Sequence, residues 1–480
     1  LYRIFPKNIA KLKKKLMCFF SNGGILLITY SFLKKMEFKN FLQHSKLGHK
    51  QYQEDGVSWI TEREKGEKFC KGGIIADEMG LGKTIMMIGN LIQNFCMPNL
   101  IVLPVVLVEQ WKDQFIKTTG HIPFVYHGTN TKIFTASRLQ HIPIILTTYG
   151  TLLSDYKKNK NLFRVEWKRI IFDEAHHLRN RQTKVTKVVR ELKSEITWLI
   201  TGTPIQNHIN DIYSLFEILK IDKKEFIKSE ILRELVDTIV LKRTKAQVGI
   251  NLPDLTETRI ETEWTNPEEK LLTEDVHENI QSDKKMMLAM MLYERMMCVL
   301  PNTVIPSIKK IQKLGLIRNQ NFEGTKGHSK MDSVIQKIVE RKDNGNKKIV
   351  FSNFHGEIDY LKNSLSKEGL IVEYIDGRVS KRQRKAILGN IVDVLIIQIK
   401  TGSEGLNLQN YNEVYFVTPD WNPQTEQQAI ARCHRIGQTK KVEVFRFVMS
   451  PYHEEGSNIE MYSEQVQVNK REIEKQISSC

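Results

Sequence analysis

Residues 72–88 read GGIIADEMGLGKTIMMI, a run of small and aliphatic side chains leading straight into a glycine-containing turn and then an amphipathic stretch. That order predicts a buried strand, a tight turn and a helix that begins near Gly82. Such a turn aims backbone N–H groups and a helix N-terminus at phosphate oxygens, because the aligned peptide dipoles favour negative charge there. Gly80 and Gly82 would let the backbone approach the phosphates, Lys83 would neutralise the β and γ phosphates of ATP, and Thr84 would ligate Mg2+. A strict P-loop has glycine at the position of Asp77, so the pattern departs by one residue.

A second strand-to-loop unit, KRIIFDEAHHL, places Asp173 and Glu174 just beyond the carboxyl end of an apolar strand. Ligands of open α/β sheets bind at that edge. Asp173 is suited to hold magnesium through water, and Glu174 to polarise the water that attacks the γ phosphate in line. His176 and His177 are adjacent and point apart, and no second ligand pair is spaced to complete a zinc site, so no zinc is expected.

From Gly72 onward, short aliphatic runs alternate with longer helical patterns, the signature of parallel sheet layered with helices. Strands are expected at Gly73 to Ala76, Leu100 to Leu103, Ile144 to Thr147, Arg169 to Phe172 and Trp198 to Ile200, making one lobe over residues 47–221. Residues 222–330 are charged and helix-prone, with a methionine-rich stretch from Met286 to Met297 expected in helical core packing, and read as a helical insertion. Strands return at Lys348 to Phe351, Ile371 to Ile375, Val394 to Gln398, Glu413 to Val417 and Val442 to Phe447, a second lobe over residues 331–450. Residues 451–480 are expected to form a polar tail, helical or frayed. At 480 residues the chain exceeds what one core usually supports, which agrees with two lobes.

The net charge of +17 suggests a polyanionic partner, but eight basic residues and no acid lie within residues 1–35, so about half of it sits in that segment. Residues 1–46 are expected to be a basic extension outside the folded body. Its apolar run from Cys18 to Leu33 is interrupted by Ser21 to Gly24 and is short for a spanning helix, which needs roughly 20 apolar residues; no membrane role is expected. The six cysteines are scattered without a CxxC pair, which fits a reducing intracellular compartment.

ADEMGLGKT, DEAHHL, TGTPIQN (Thr201 to Asn207) and QAIARCHRIGQTKKV (Gln428 to Val442) occur in an order that closely resembles the Swi/Snf-family ATPases of helicase superfamily two. Smaller similarities lie at YQEDGVSW, LPVVLVEQW, TTYGTL, LKRTK, IVFSNF and DWNPQ, so that the resemblance runs over about residues 47 to 450. It implies an α/β chain of two RecA-like parallel-sheet lobes with a helical insertion between them, driven by ATP and Mg2+. It further implies that Gln53 reads the adenine, that Gln428 belongs to the nucleotide site, and that Arg432 and Arg435 act as arginine fingers on the transferring phosphate. Planar guanidinium groups suit that task.

The same resemblance implies sequence-nonspecific binding of double-stranded DNA through Gln110, Thr148 and Tyr149 in the first lobe and Asn353, Arg378, Lys400, Thr401 and Asn407 in the second. Contacts of this kind position a duplex without reading its bases. The expected function is an ATP-dependent duplex translocase that displaces or remodels DNA-bound protein, working inside the cell wherever the DNA is, whether nucleus or viral compartment. A segment reading KTGSEGLNL carries Ser403 and Glu404 where the family has smaller or apolar residues, a departure that bears on second-lobe coupling. A strand-separating DEAH-type DNA or RNA helicase would carry arginine at the position of Gln438. A non-catalytic nucleic-acid scaffold would have lost Lys83, an acid or an arginine finger, and all are present.

Overall fold

The computed structural model describes residues 38–44, 47–66, 68–158, 160–202, 209–227, 229–279, 287–304, 307, 328–402, 406–454 and 456–479. The chain divides into two compact units between Val248 and Gly249. Each is built on one wholly parallel sheet among the described residues.

In the first unit the strands are β1 (Gly72–Ile75), β2 (Asn99–Leu103), β3 (Phe124–Val125), β4 (Ile144–Thr148), β5 (Trp167–Asp173), β6 (Ser194–Ile200) and β7 (Val240–Leu241). Their order across the sheet is β3-β4-β2-β5-β6-β1-β7. Side chains of a strand alternate between faces, and here both faces are apolar. Ile74, Leu100, Val102, Ile170, Phe172 and Leu199 enter one core. Their neighbours Ile75, Ile101, Leu103, Ile171, Trp198 and Ile200 enter the other. Continuous aliphatic runs are what a parallel sheet covered on both sides requires.

The second unit contains β8 (Leu255–Thr262), β9 (Lys348–Ser352), β10 (Val372–Ile375), β11 (Val394–Gln398), β12 (Glu413–Phe416) and β13 (Val442–Met449), in the order β10-β11-β9-β12-β13-β8. It repeats the two-core design, with Val350, Val394, Ile396 and Tyr415 on one side and Ile349, Phe351, Leu395, Ile397 and Val414 on the other.

Two boundaries differ from the sequence expectation, and the tail takes the helical form expected of it. Residues 222–330 are not a separate insertion: β7 completes the first sheet and β8 pairs over its full length with β13 at the edge of the second. The helix Phe38–His44 belongs to the first unit, because Phe41 and Leu42 are buried in its core and Phe38 packs over Gly89, where a Cβ would come within 2.2 Å of the ring. The tail is a long helix, Ile459–Ser479, anchored where Glu460 pairs with buried Lys330 and Lys470 donates to the Trp421 carbonyl at 2.8 Å. In the methionine-rich stretch, the helix Met287–Met297 buries Met290 and Met297 in a small cluster of its own, while Met286 lies outside the described residues. Among the described residues no helix is long and apolar enough to cross a membrane, and the run from Cys18 to Leu33 lies outside them.

Candidate nucleotide site and nucleic-acid faces

In the first sheet β6 separates β1 from β5, so the loops that leave these strands at their carboxyl ends lie roughly 10 Å apart. The loop after β1 carries Lys83 and the loop after β5 carries Asp173 and Glu174. The helix Lys83–Gln93 starts directly after Gly82, whose φ of 83° is left-handed. A Cβ on Gly82 would also sit 2.4 Å from the Gln53 amide nitrogen. Glycine is thus required here both for conformation and for space. Gln53 is buried and donates to the Leu81 carbonyl at 3.1 Å, so its amide holds the loop from the side. Lys83 is half-buried, and its ammonium donates to the Asp77 carbonyl at 2.6 Å. Thr84 stands half-buried at the second residue of the helix.

Asp77 does not act as a glycine substitute. Its φ is not positive, and its fully buried carboxylate takes a two-pronged contact from Arg243, Nε to Oδ1 at 3.1 Å and Nη2 to Oδ2 at 2.6 Å.

Across the sheet, Asp173 is held by two donors: the Trp111 indole N–H at 2.7 Å on Oδ2 and the Glu174 backbone N–H at 2.9 Å on Oδ1. Burial, followed by the neighbouring Glu174 charge, pushes its carboxyl up to about 7. A divalent cation would reverse that penalty, so this carboxylate and Thr84 fit a magnesium ion. Glu174 has a left-handed backbone (φ 50°), a conformation that costs a non-glycine residue on the order of 1 kcal/mol and is typical of functional loops. It turns the chain off β5 and sets the carboxylate against His176 Nδ1 at 3.1 Å. Burial draws His177 down to about 4, so that ring is neutral at physiological pH.

Thr148 and Tyr149, expected on the nucleic-acid face, are mainly internal. The Thr148 hydroxyl meets Thr151 Oγ1 at 2.8 Å, and the Tyr149 hydroxyl donates to the Asp173 carbonyl at 2.8 Å. Both residues are more than nine-tenths buried and line a cavity of about 670 Å³ together with His127, Lys132 and Lys158. Gln110 is exposed on the helix Val108–Thr119.

In the second unit Asn353 is half-buried and donates to Thr418 Oγ1 at 2.8 Å. Arg378 is saturated by carboxylates, with both Nη atoms on Asp359 at 2.8 and 2.9 Å and Nε on Asp376 at 2.8 Å. A phosphate contact from Arg378 would have to displace two acids. Thr401 donates to Gln398 at 3.2 Å, and Asn407 is exposed. The side chain of Lys400, and Ser403, Glu404 and Thr203 to Asn207, lie outside the described residues.

The helix Pro423–Cys433 carries Gln428 and Arg432, both half-buried. Arg435 follows it, and burial draws its guanidinium down. Gln438 is a structural knot: its amide donates to the Gln409, Tyr411 and Cys433 carbonyls at 2.9, 3.1 and 3.3 Å and accepts from Thr439 and Lys440 N–H at 3.0 and 2.9 Å.

A family model described as the SNF2-related domain matches residues 52–314, more than half of the chain, and one described as the helicase conserved C-terminal domain matches residues 329–437. The chain belongs to the SNF2-related family. Its relatives include an uncharacterized ATP-dependent helicase of Mycoplasma pneumoniae, 28% identical over 92% of this chain and 44% of that protein. Another is chromodomain-helicase-DNA-binding protein 8 of Rattus norvegicus, 29% identical over 83% of this chain and 17% of that protein. This SNF2-related chain therefore spans less than half the length of these curated relatives. Among solved structures it is similar to the Sulfolobus solfataricus SWI2/SNF2 ATPase core in complex with dsDNA, at 29% identity over 90% of this chain and 92% of that one, with a TM-score of 0.40. The family lies within helicase superfamily two.

Trp111, Tyr149 and Arg243 hold the site together, and sequence reasoning assigned none of them that role. All three lie inside family-like segments, LPVVLVEQW, TTYGTL and LKRTK, so membership of a motif was the available signal.

Proposed function

We propose that this chain hydrolyses ATP in response to double-stranded DNA and uses the cycle to track along the duplex, displacing or remodelling bound protein. The observation that carries the reading is the convergence on one sheet edge of a phosphate-loop lysine, Lys83, with buried Asp173, whose carboxyl burial pushes up to about 7, and half-buried Glu174 beside it. Lys83 would exchange the loop carbonyls that hold it for β and γ phosphate oxygens. Thr84 and Asp173 would hold magnesium, which when bound supplies charge neutralisation on those phosphates. Glu174 orients the attacking water and takes its proton. Gln53 and Gln428 are proposed to line the nucleotide. Arg432 and Arg435 are proposed to stabilise charge spreading over the transferred phosphoryl group, an effect worth about 10³ to 10⁵ in rate in related chemistry.

DNA contacts are proposed at exposed Gln110 and Asn407 and at Lys400 and Thr401, with Thr148, Tyr149, Asn353 and Arg378 shaping the faces rather than gripping phosphate. Tracking without strand separation is favoured by Gln438, whose amide is consumed inside its own loop where a DEAH-type helicase needs a free arginine. The site of action would be wherever the cell or a virus keeps its DNA.

The test measures ATP turnover without nucleic acid and with duplex DNA, single-stranded DNA or RNA, for the wild type, Lys83→Ala and Glu174→Gln. Stimulation by duplex DNA that both variants abolish is expected. Stimulation by RNA but not by duplex DNA would overturn the reading. Triplex displacement without unwinding of a forked duplex separates tracking from strand separation.

A further inference from the structure

We propose that Arg243 is a positioning residue for the phosphate loop, acting through Asp77. This inference rests on the ATP-binding reading above. Asp77 occupies the place where a strict P-loop has glycine, and its buried carboxylate receives the Arg243 fork. The remaining arm of that guanidinium is also engaged: Nη1 donates to the Tyr52 carbonyl at 2.6 Å, while Nη2, besides its bond to Asp77, lies 3.4 Å from Met86 Sδ. Space for it comes from Gly56, where a Cβ would stand 2.9 Å from Nη2 and 2.6 Å from Met86 Sδ. The Tyr52 ring lies 5.7 Å from the guanidinium carbon.

The contact continues along the loop. Glu78 N–H donates to the Arg243 carbonyl at 2.9 Å, while Lys245 returns its own N–H and its ammonium to the Glu78 carboxylate, both at 2.8 Å. Ala76 N–H donates to the Leu241 carbonyl at 2.7 Å. Residues 241–245 are therefore zipped along residues 76–78, and the Asp77 carbonyl in turn seats the Lys83 ammonium. A planar fork sets both distance and angle, which a lysine cannot do. Arg243 thereby fixes the backbone that fixes the lysine, supplying by side chain the loop geometry that glycine supplies elsewhere by backbone.

Equilibrium titration with mant-ATP and Mg2+, together with KM and kcat for duplex-stimulated turnover, tests the assignment in the full chain. Arg243→Ala, confirmed folded by circular dichroism, is expected to weaken mant-ATP binding and raise the KM for ATP at least tenfold, with kcat changed less than threefold. Arg243→Lys should fall between it and the wild type, and serves alone if the alanine variant does not fold. Asp77→Gly in the Arg243→Ala background removes the stranded carboxylate and restores the glycine pattern, so at least threefold of the affinity should return. A lysine or alanine variant that binds mant-ATP as the wild type does, or a double variant that regains nothing, overturns the assignment. A wild type that neither binds mant-ATP nor hydrolyses ATP overturns the functional reading instead.

Discussion

Asp173→Asn should reverse its effect on stability with pH in the nucleotide-free protein. In the folded chain burial raises the Asp173 carboxyl from its ordinary 3.8 to about 7. Between those values the folded state holds a proton that the unfolded chain has released. The group's stabilising contribution is therefore complete below about pH 4 and is lost as pH rises through 7. Three pKa units at about 1.4 kcal/mol each give a loss on the order of 4 kcal/mol, and full burial leaves little solvent screening to reduce it. Asparagine does not titrate, but Trp111 Nε1 and Glu174 N donate to different oxygens of Asp173, and asparagine replaces one of those oxygens with an NH2 group that cannot accept. Losing one of these bonds costs about 1–2 kcal/mol. The variant should thus be less stable than the wild type by about 1–2 kcal/mol at pH 4 and more stable by about 2–3 kcal/mol at pH 8. Native-state hydrogen exchange of the β5 amides, in EDTA at pH 4 to 8 and corrected for intrinsic exchange rates, reads the opening free energy of this unit by itself. A difference between the two proteins that stays constant over that range would show that Asp173 is ionised in the free protein, and the argument for magnesium fit would fall with it.

Two further outcomes follow from buried polar groups. Arg169 is fully buried and grips Glu64 at 2.6 and 2.5 Å, so Arg169→Met strands a carboxylate and should cost about 3–5 kcal/mol in urea unfolding, with much of it regained by adding Glu64→Gln. Gln438→Ala removes all five of that amide's contacts and should destabilise the second unit by about 2–3 kcal/mol, measured by hydrogen exchange of β13.

The strands legible in the sequence are those that both cores cover, since a strand buried on both faces must be aliphatic throughout, as Leu100 to Leu103 and Val394 to Ile397 are. β8 escaped because LTETRIET is an edge strand with only Thr262 buried, and its order comes from register with β13, nearly 190 residues away. β7 is two residues long and carries no period at all. The catalytic-type residues could be named because their chemistry is local: a lysine after a glycine turn, two acids after a strand. Their supports could not. Tyr149 and Thr148 sit in a segment resembling nucleic-acid contacts, yet the fold turns both inward, one onto the Asp173 carbonyl.

Asp77 makes the same point from the other side. Read alone, a charged residue in a glycine's place is a defect, and it weakened the phosphate-loop pattern. A buried acid must find a counter-charge, accept hydrogen bonds or stay protonated, and Asp77 takes the first course. Its partner, Arg243, lies 166 residues downstream, in a segment whose sequence says nothing about phosphate. Motif patterns record which side chains meet a ligand, whereas a charged departure from them signals an unseen long-range pair. That pair is where substitution should disturb nucleotide binding without touching the nucleotide.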